Sequence, residues 1–170
     1  MPFIPSPPFS GGASPCGDEA AQRGAIVAEA MRWLGTPYHH RAKLRGVGAD
    51  CAQLVLGVYA AVGLVADFDT GEYPPDWHLH REAERYLAII AGLAGEIEPA
   101  KAGRGDVLLF RFGRCFSHGA IVIEGMRLIH ANRRDRAVVM TDLDRDGDLI
   151  GRPMRAFSYW AKARENADGR

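Results

Sequence analysis

A chain of 170 residues with 47% hydrophobic content is long enough for one domain with a single core and too short for two. Its 21 basic and 21 acidic residues cancel, so there is no basic surplus of the kind that marks a nucleic-acid partner. No run approaches the roughly 18 consecutive apolar residues of a membrane span. The composition therefore indicates one globular domain without a nucleic-acid partner or a membrane span.

The two ends of the chain differ in composition from the middle. Residues 1–17 are rich in Pro, Ser and Gly and predict a flexible N-terminal arm, followed by a domain at 18–160 and a C-terminal tail at 161–170. The arm lacks the basic n-region and unbroken apolar stretch of a signal peptide, so we expect synthesis in the cytoplasm without export by the usual route. Three cysteines, none of them in a Cys-x-x-Cys pair, argue against a disulfide framework.

Two helices are predicted in the first third of the chain. Asp18 is a suitable N-cap for a helix that runs to about Leu34, because apolar residues recur there near helical spacing. A glycine-containing loop at 35–49 follows. Residues 51–62 are apolar nearly all round, which predicts a buried helix that ends at Gly63.

The remainder predicts an irregular loop at 64–79, a helical segment at 80–92 and then consecutive strands. The segments with alternating or continuous apolar, β-type composition are Asp106–Phe112, Gly119–Glu124, Arg127–Ala131, Ala137–Asp142 and Met154–Trp160. Helices followed by consecutive strands indicate an α+β fold. In that fold an antiparallel sheet packs one face on the helix at 51–62.

Cys51 is the best candidate for nucleophilic chemistry. It lies in the first turn of the buried helix, directly after Asp50, where the partial positive charge and free N–H groups of a helix N-terminus stabilise a thiolate. We therefore expect its pKa to lie below the free-thiol value of ~8.5. The same N–H groups could hold an oxyanion. The alternative is a structural thiol, since cysteine is among the most buried residue types.

Two histidines are candidates for the base and its orienting partner, which a thiol nucleophile requires. His118 begins one predicted apolar strand, and His130 ends the next one after a tight turn. If these strands pair as a hairpin, the histidines become cross-strand neighbours, ~5–8 Å apart between Cβ atoms. The alternative for each is a half-exposed structural histidine at a strand end.

Three other patterns are weaker candidates. Asp142–Leu149 resembles the first half of an EF-hand loop, but the twelfth position is Pro153 and the segment follows a strand, so a polar turn is expected. His78 and His80 would face the same side of a strand, yet no third zinc ligand is fixed by spacing, so exposed loop residues are favoured. Cys115 lies in a predicted loop without a helix N-terminus behind it. We expect neither a metal nor another cofactor.

Five segments, taken in their order and spacing, resemble the NlpC-type cell-wall peptidases. They are Gly35–Tyr38, Gly48–Val55, Arg104–Phe110, Ser117–Val122 and Ile129–Ala131. The resemblance covers residues 20–142, most of the chain. It implies a papain-like α+β fold, with N-terminal helices and the nucleophile helix packed on a C-terminal antiparallel β-sheet.

The resemblance also implies roles for individual residues. Cys51 corresponds to the nucleophile, His118 to the general base and later acid, and His130 to the orienter of His118. The residues that correspond to the family's cleft-lining or substrate-contacting positions are Tyr38, Asp50 and Ser117. Members of the family cut amide bonds in peptidoglycan stem peptides, often between D-glutamate and a diamino acid, so the stem peptide is the implied substrate.

The chain departs from the family pattern at two places. Ala52 and Gln53 follow the nucleophile where Ser-Gly is common, which removes a hydroxyl from the site, and the loop around 77–80 is longer than in small exported members. The likeness is closest to the peptidases of phage and gene-transfer-agent tails, which implies a tail-hub or tail-tip protein as partner and a place in a phage-like particle. A structural or adaptor component that keeps the fold, and another acyl-transfer reaction such as an amidase, are the alternatives.

Overall fold

The computed structural model describes residues 18–67, 69–72 and 84–168. Within these ranges the chain forms four α-helices, eight β-strands and one 3₁₀ turn at Pro99–Lys101. The helices are α1 (Glu19–Arg32), α2 (Cys51–Ala61), α3 (Glu84–Leu93) and α4 (Tyr159–Asp168). The strands are β1 (Lys43–Leu44), β2 (Gly48–Ala49), β3 (Gly95–Ile97), β4 (Val107–Phe112), β5 (Cys115–Glu124), β6 (Arg127–Asn132), β7 (Ala137–Asp142) and β8 (Met154–Ser158).

Six of the strands form one antiparallel sheet in the order β3-β8-β4-β5-β6-β7. The strands β4 to β7 follow one another in sequence and in space, which is the simplest route for an antiparallel sheet. The strands β1 and β2 form a separate small hairpin just before α2. The α+β class expected from the sequence is confirmed.

The sheet is covered on both faces, because alternate residues of each strand point to opposite sides. Leu109 and Ile121 join residues of α1, α2 and α3 in one core. Leu108 and Val122 join a second core on the rear face, which is closed by Leu149 from the connection between β7 and β8. Each such side chain contributes about 1.5–3 kcal/mol by its burial.

The helix α2 is the central element of the first core, as its apolar sequence predicts. Its residues from Cys51 to Tyr59 are all buried, and it packs on β5 and β6. Asp50 is its N-cap, and the Asp50 side chain accepts a hydrogen bond from the Gln53 N–H at 2.9 Å. The predicted cap of α1 is also present, since Asp18 accepts from the Ala21 N–H at 3.3 Å. These caps fix where each helix begins.

Several boundaries differ from the sequence predictions. The strand β5 begins at Cys115, so His118 lies inside a strand rather than at its start, and Cys115 is buried instead of lying in a loop. The last strand ends at Ser158, and the run Ala161–Asp168, expected as tail, completes α4. That run is rich in Ala, Lys, Arg and Glu, which favour helix. The short strands β1, β2 and β3 were not predicted.

Some sequence predictions lie outside the described residues. These are the N-terminal arm at 1–17 and the pair His78 and His80 with half of its loop. In the ranges that the structure describes, no helix is both long enough and apolar enough to cross a lipid bilayer.

Candidate active site

A β-bulge sets the position of His118. The pairing of β4 with β5 shifts by one residue after the Phe110–His118 pair, so Ser117 is an extra residue in β5. Bulges of this kind bend a strand locally and redirect its side chains. The His118 ring lies against Phe112, with ring centroids 5.3 Å apart, and its centroid is 6.4 Å from that of Phe110.

The Cys51 thiol lies where the sheet opens. The ladder between β5 and β6 ends at the Ile121–Ile129 pair, so the backbone of β5 beyond it is left without a strand partner on that side. The Cys51 thiol takes this place: it donates to the Ser117 carbonyl, with Sγ and O 3.5 Å apart, and it accepts from the Gly119 N–H. The thiol therefore contacts the backbone of β5 on either side of His118.

The two candidate histidines are in direct contact. The distance from His118 Nε2 to His130 Nδ1 is 2.8 Å, and the ring centroids are 5.0 Å apart at an interplanar angle of 88°. The expected cross-strand proximity is confirmed. Since Nε2 of His118 is engaged by His130, Nδ1 is the ring nitrogen that remains for a proton transfer. This is the arrangement that a base and its orienting partner require.

Both histidines have a lowered pKa, which favours their neutral forms at neutral pH. Burial lowers the pKa of His118 below its ordinary value, and the neighbouring His130 and Arg152 lower it further by charge repulsion. Burial also lowers the pKa of His130, although the carboxylate of Asp146 acts in the opposite direction. A neutral His118 has a free lone pair and can accept a proton.

The electrostatics of Cys51 differ from the sequence expectation. The residue is only 7% exposed, and burial together with the charge of Asp50 raises its pKa to about 12. The backbone N–H groups of Gly119, Ala52 and Cys51 itself lower the pKa, as expected at a helix N-terminus, but by less than burial raises it. The resting thiol therefore keeps its proton.

Asp50 has a structural task next to the thiol. One carboxylate oxygen accepts from the Gln53 N–H at 2.9 Å, and the other accepts from the Arg41 N–H at 2.7 Å. His40 Nδ1 lies 3.6 Å from the second oxygen. Asp50 is only 2% exposed. It joins the start of α2 to a loop in which Arg41 adopts a φ of 63°, a strained value for a residue with a side chain.

Tyr38 and Ser117, the other two predicted substrate contacts, also lie beside the thiol. Tyr38 is half-buried, and its N–H donates to the Arg136 carbonyl at 2.8 Å. Burial and the charges of Cys51 and Asp50 raise the pKa of the Tyr38 hydroxyl. Ser117 is buried and meets the thiol through its carbonyl. Of these, only Tyr38 has appreciable exposed surface.

The structure shows a role for Gln53, one of the two residues after Cys51 that depart from the family pattern. The Gln53 side chain is buried, and its Nε2 donates to Thr70 Oγ1 at 2.8 Å. The Arg85 guanidinium donates to the Thr70 carbonyl. Gln53 therefore holds the segment 69–72 on α2. This contact crosses a loop and leaves no local pattern in the sequence.

The segment that resembles half of a calcium loop forms turns between β7 and β8. In the described parts of the chain, no group of three or more His, Cys, Asp or Glu side chains could hold a metal ion. One residue of these turns, Asp146, reaches the site instead, with its Oδ2 3.4 Å from His130 Nε2. Nothing in the sequence pattern pointed to this proximity.

A family model described as the NlpC/P60 family matches residues 35–149. The chain belongs to the NlpC/P60 family. It is accordingly a cysteine peptidase, and the matched range contains Cys51, His118 and His130. No curated protein sequence matches the chain.

Solved structures of NlpC/P60 proteins share the fold. The NlpC/p60 domain of the peptidoglycan hydrolase SagA is 26% identical, with a TM-score of 0.56 over 80% of this chain and 97% of that domain. RipB, a peptidoglycan hydrolase from Mycobacterium tuberculosis, is 18% identical, with a TM-score of 0.58 over 82% of this chain and 65% of that one. NlpC1 from Trichomonas vaginalis is 16% identical, with a TM-score of 0.61 over 92% of this chain and 48% of that one. The chain thus spans about half of NlpC1, and the papain-like α+β fold is confirmed.

Proposed function

We propose that this NlpC/P60 peptidase hydrolyses amide bonds in peptidoglycan stem peptides, at the bond between D-glutamate and the diamino acid. The observation behind the proposal is the 2.8 Å contact between His118 Nε2 and His130 Nδ1, next to the Cys51 thiol at the start of α2. It is supported by the likeness to SagA, a peptidoglycan hydrolase with 26% identity over nearly all of its domain.

The first step forms a tetrahedral intermediate on Cys51. Cys51 Sγ attacks the carbonyl carbon of the substrate amide, and the thiol proton passes to His118 Nδ1. Because the pKa of Cys51 is raised and that of His118 is lowered, the proton moves as the carbon–sulfur bond forms and not before. The N–H groups at the start of α2 stabilise the oxyanion that develops.

The second step releases both products. His118 gives its proton to the amide nitrogen, the carbon–nitrogen bond breaks, and the amine leaves a thioester on Cys51. Water then attacks the thioester, with His118 as its base, and a carboxylic acid is released as the thiol is restored. In sum, one amide and one water become one amine and one acid. His130 keeps the His118 ring in place throughout.

The proposed substrate-binding residues are Tyr38, Asp50 and Ser117. Tyr38 is half-buried beside the thiol, so its ring and hydroxyl can line the cleft. Asp50 and Ser117 are buried, and they shape the site through the cap of α2 and the bulge in β5. Tyr38 is thus the residue of the three with the most direct access to a bound peptide.

The proposed setting of this activity is the tail of a phage-like particle, docked on a tail-hub or tail-tip protein. The support is the resemblance of the segments around Cys51, His118 and His130 to the tail peptidases. Mass spectrometry of purified particles tests this setting. Particles that contain the other tail proteins but lack this chain would contradict it.

The activity is tested by digesting purified sacculi of the diamino-acid type with wild-type protein, Cys51→Ala and Cys115→Ala. Cys115 is a buried thiol at the start of β5 and outside the proposed triad, so its replacement controls for the loss of a cysteine. We expect new fragments from wild type and Cys115→Ala only, with masses that identify the bond. No fragments from folded wild-type protein would contradict the proposal and favour a structural component that keeps the fold.

A further inference from the structure

A buried carboxylate lies behind His130. Asp146 belongs to the turns between β7 and β8, and its Oδ2 is 3.4 Å from His130 Nε2. The side chains of His130 and Asp146 are only 1% and 9% exposed. Among the described residues, His130 Nε2 has no partner at ordinary hydrogen-bond distance. The facing carboxylate is therefore the acceptor that a small rotation of either side chain brings within reach.

The orientation of Asp146 is fixed by its other oxygen. Oδ1 accepts from the Asp148 N–H at 2.9 Å and from the Leu149 N–H at 3.2 Å. Leu149 is 1% exposed and belongs to the core on the rear face of the sheet. Since Oδ1 is held by the backbone of a turn that is itself anchored in a core, Oδ2 is directed at His130.

A carboxylate at this position decides which nitrogen of His130 bears the proton. In a neutral imidazole one ring nitrogen donates and the other accepts. Nε2 of His130 faces an acceptor that cannot donate, so the proton lies on Nε2 and the lone pair lies on Nδ1. His118 Nε2, 2.8 Å away, must then be the donor, which leaves the lone pair of His118 on Nδ1.

We propose that Asp146 is a positioning residue that fixes the tautomer of His130 and, through it, keeps the lone pair of His118 on the side of Cys51. The proposal rests on the catalytic roles proposed above for these residues. It makes His118, His130 and Asp146 a chain of three side chains, in which the His118–His130 hydrogen bond and the contact of His130 with Asp146 both have their acceptor on the side of Asp146.

The variant Asp146→Asn tests which way these hydrogen bonds are donated. The amide oxygen can keep the two backbone hydrogen bonds, which turns the NH₂ group towards His130 Nε2. A donor now faces Nε2, so the proton of His130 moves to Nδ1 and that of His118 to its own Nδ1. The base then presents an N–H to Cys51 instead of a lone pair. A wrong tautomer of this kind abolishes general-base action without disturbing the fold.

Asp148→Asn is the matched control. It removes the same charge from the same turns, while the Asp148 side chain lies at the surface beside Arg134, with Oδ1 and Nη1 3.6 Å apart. Its backbone N–H, which holds Asp146, is unchanged. An effect of removing a negative charge from these turns appears in both variants, and a reversal of the tautomers is expected only in Asp146→Asn.

The primary measurement is ¹⁵N NMR of protein with labelled histidines, which identifies the protonated ring nitrogen. We expect Nε2–H on His118 and His130 in wild type and in Asp148→Asn, and Nδ1–H on both in Asp146→Asn. The accompanying kinetic expectation is a loss of kcat on the order of 10² to 10⁴-fold for Asp146→Asn, with little change in KM and less than about a twofold change for Asp148→Asn.

Each outcome has a distinct meaning. Nδ1–H on His130 in wild type would overturn the inference, and this reading does not depend on whether Asp146→Asn folds. Unchanged tautomers and unchanged kcat in a folded Asp146→Asn would overturn it as well. The expected tautomers in a protein that leaves sacculi intact would uphold the inference about Asp146 and contradict only the proposed function.

Discussion

His118 and His130 meet through Nε2 and Nδ1 at 2.8 Å, with their rings at 88° to each other. One ring therefore donates to the edge of the other, and the His118 ring cannot rotate without breaking that bond. We expect His130→Ala to lower kcat by about 10²-fold, because His118 loses its orienting acceptor. The measurement is the rate of fragment release at a saturating concentration of sacculi.

The control for this prediction is His130→Asn, whose side-chain oxygen can accept from His118 Nε2 as the imidazole does. We expect this variant to retain at least about tenfold more activity than His130→Ala. Equal losses in the two variants would indicate that His130 acts by filling space and not by accepting a hydrogen bond.

The raised pKa of Cys51 predicts how its alkylation depends on pH. The pKa of Cys51 is about 12, whereas an ordinary thiol has a pKa of 9.0. The thiolate fraction in the native protein therefore keeps rising through pH 7–10, by about tenfold per pH unit. The rate constant for iodoacetamide at Cys51, followed by peptide mass spectrometry, should therefore show no plateau in that range. In the urea-unfolded chain it should level off near the ordinary thiol pKa.

The opposite result is equally informative. A plateau below about pH 8 in the native protein would show that the helix N-terminus and a charged His118 outweigh burial. The resting pair would then be a thiolate and an imidazolium, and proton transfer would precede substrate binding.

Asp50→Asn should lower the pKa of Cys51, since the charge of Asp50 is the second cause of its rise after burial. Asn is as good an N-cap as Asp, so the start of α2 keeps its hydrogen bond from Gln53. We expect alkylation of Cys51 at pH 8 to become several-fold faster, on the order of 3 to 10-fold. Asp18→Asn makes the same exchange at the cap of α1 and should leave the rate unchanged. A slower reaction in Asp50→Asn would mean that the cap carboxylate supports the thiolate.

The buried contact between Gln53 and Thr70 should contribute to stability. Thr70→Val keeps the shape of the side chain but removes the hydroxyl that accepts from Gln53 Nε2, and we expect the free energy of unfolding to fall by about 1–3 kcal/mol. Thr70→Ser keeps the hydroxyl, and we expect its free energy of unfolding to fall by less than about 1 kcal/mol. Chemical denaturation measures both. If the two variants are equally destabilised, the methyl group matters and the hydrogen bond does not.

Gly119 has no room for a side chain. A Cβ at this position would lie 2.1 Å from the Tyr86 hydroxyl oxygen and 2.9 Å from the ring carbon that bears it. Tyr86 is fully buried, and its hydroxyl is 3.4 Å from the Cys51 carbonyl. We expect Gly119→Ala to lower the free energy of unfolding by about 1–3 kcal/mol and to reduce activity through displacement of Cys51.

Two further variants separate a steric effect from a backbone effect at Gly119. Gly119→Ala combined with Tyr86→Phe removes the closest clashing atom and should recover part of the lost stability, as measured by denaturation. Gly24→Ala, in α1 with open space around it, should instead stabilise the protein by up to about 1 kcal/mol. If Tyr86→Phe recovers nothing, the hydroxyl is not the source of the cost at Gly119, which then arises from the ring of residue 86 or from the backbone of β5.

The sequence predicts Cys51, His118 and His130 as the candidate triad, and each lies in an element with a clear local pattern. A capped apolar helix begins at Cys51, and two adjacent β-type runs contain the histidines. Adjacent runs joined by a tight turn pair almost of necessity, so the proximity of the histidines followed from the order of the strands. The order of helices and strands was predictable for the same reason.

The properties that depend on tertiary contacts were not predictable. The sign of the pKa shift at Cys51 depends on how deeply the thiol is buried between α2 and the sheet, which no local pattern specifies. The contact of Asp146 with His130 depends on a turn folded over the rear face, and that of Gln53 with Thr70 on a loop folded over α2. The short strands β1 and β3 contain two and three residues, too few for any periodicity.

The ladder between β5 and β6 ends early, and this affects how the protein loses activity when it is partly denatured. Through that opening, the Cys51 sulfur of the helical layer contacts the backbone of the strand that carries His118, so neither layer alone contains the whole candidate site. Partial denaturation that separates the layers should abolish turnover while far-UV circular dichroism still reports helices and strands. Enzymatic activity therefore reports on the tertiary packing of this protein, and we expect it to be lost before the secondary structure.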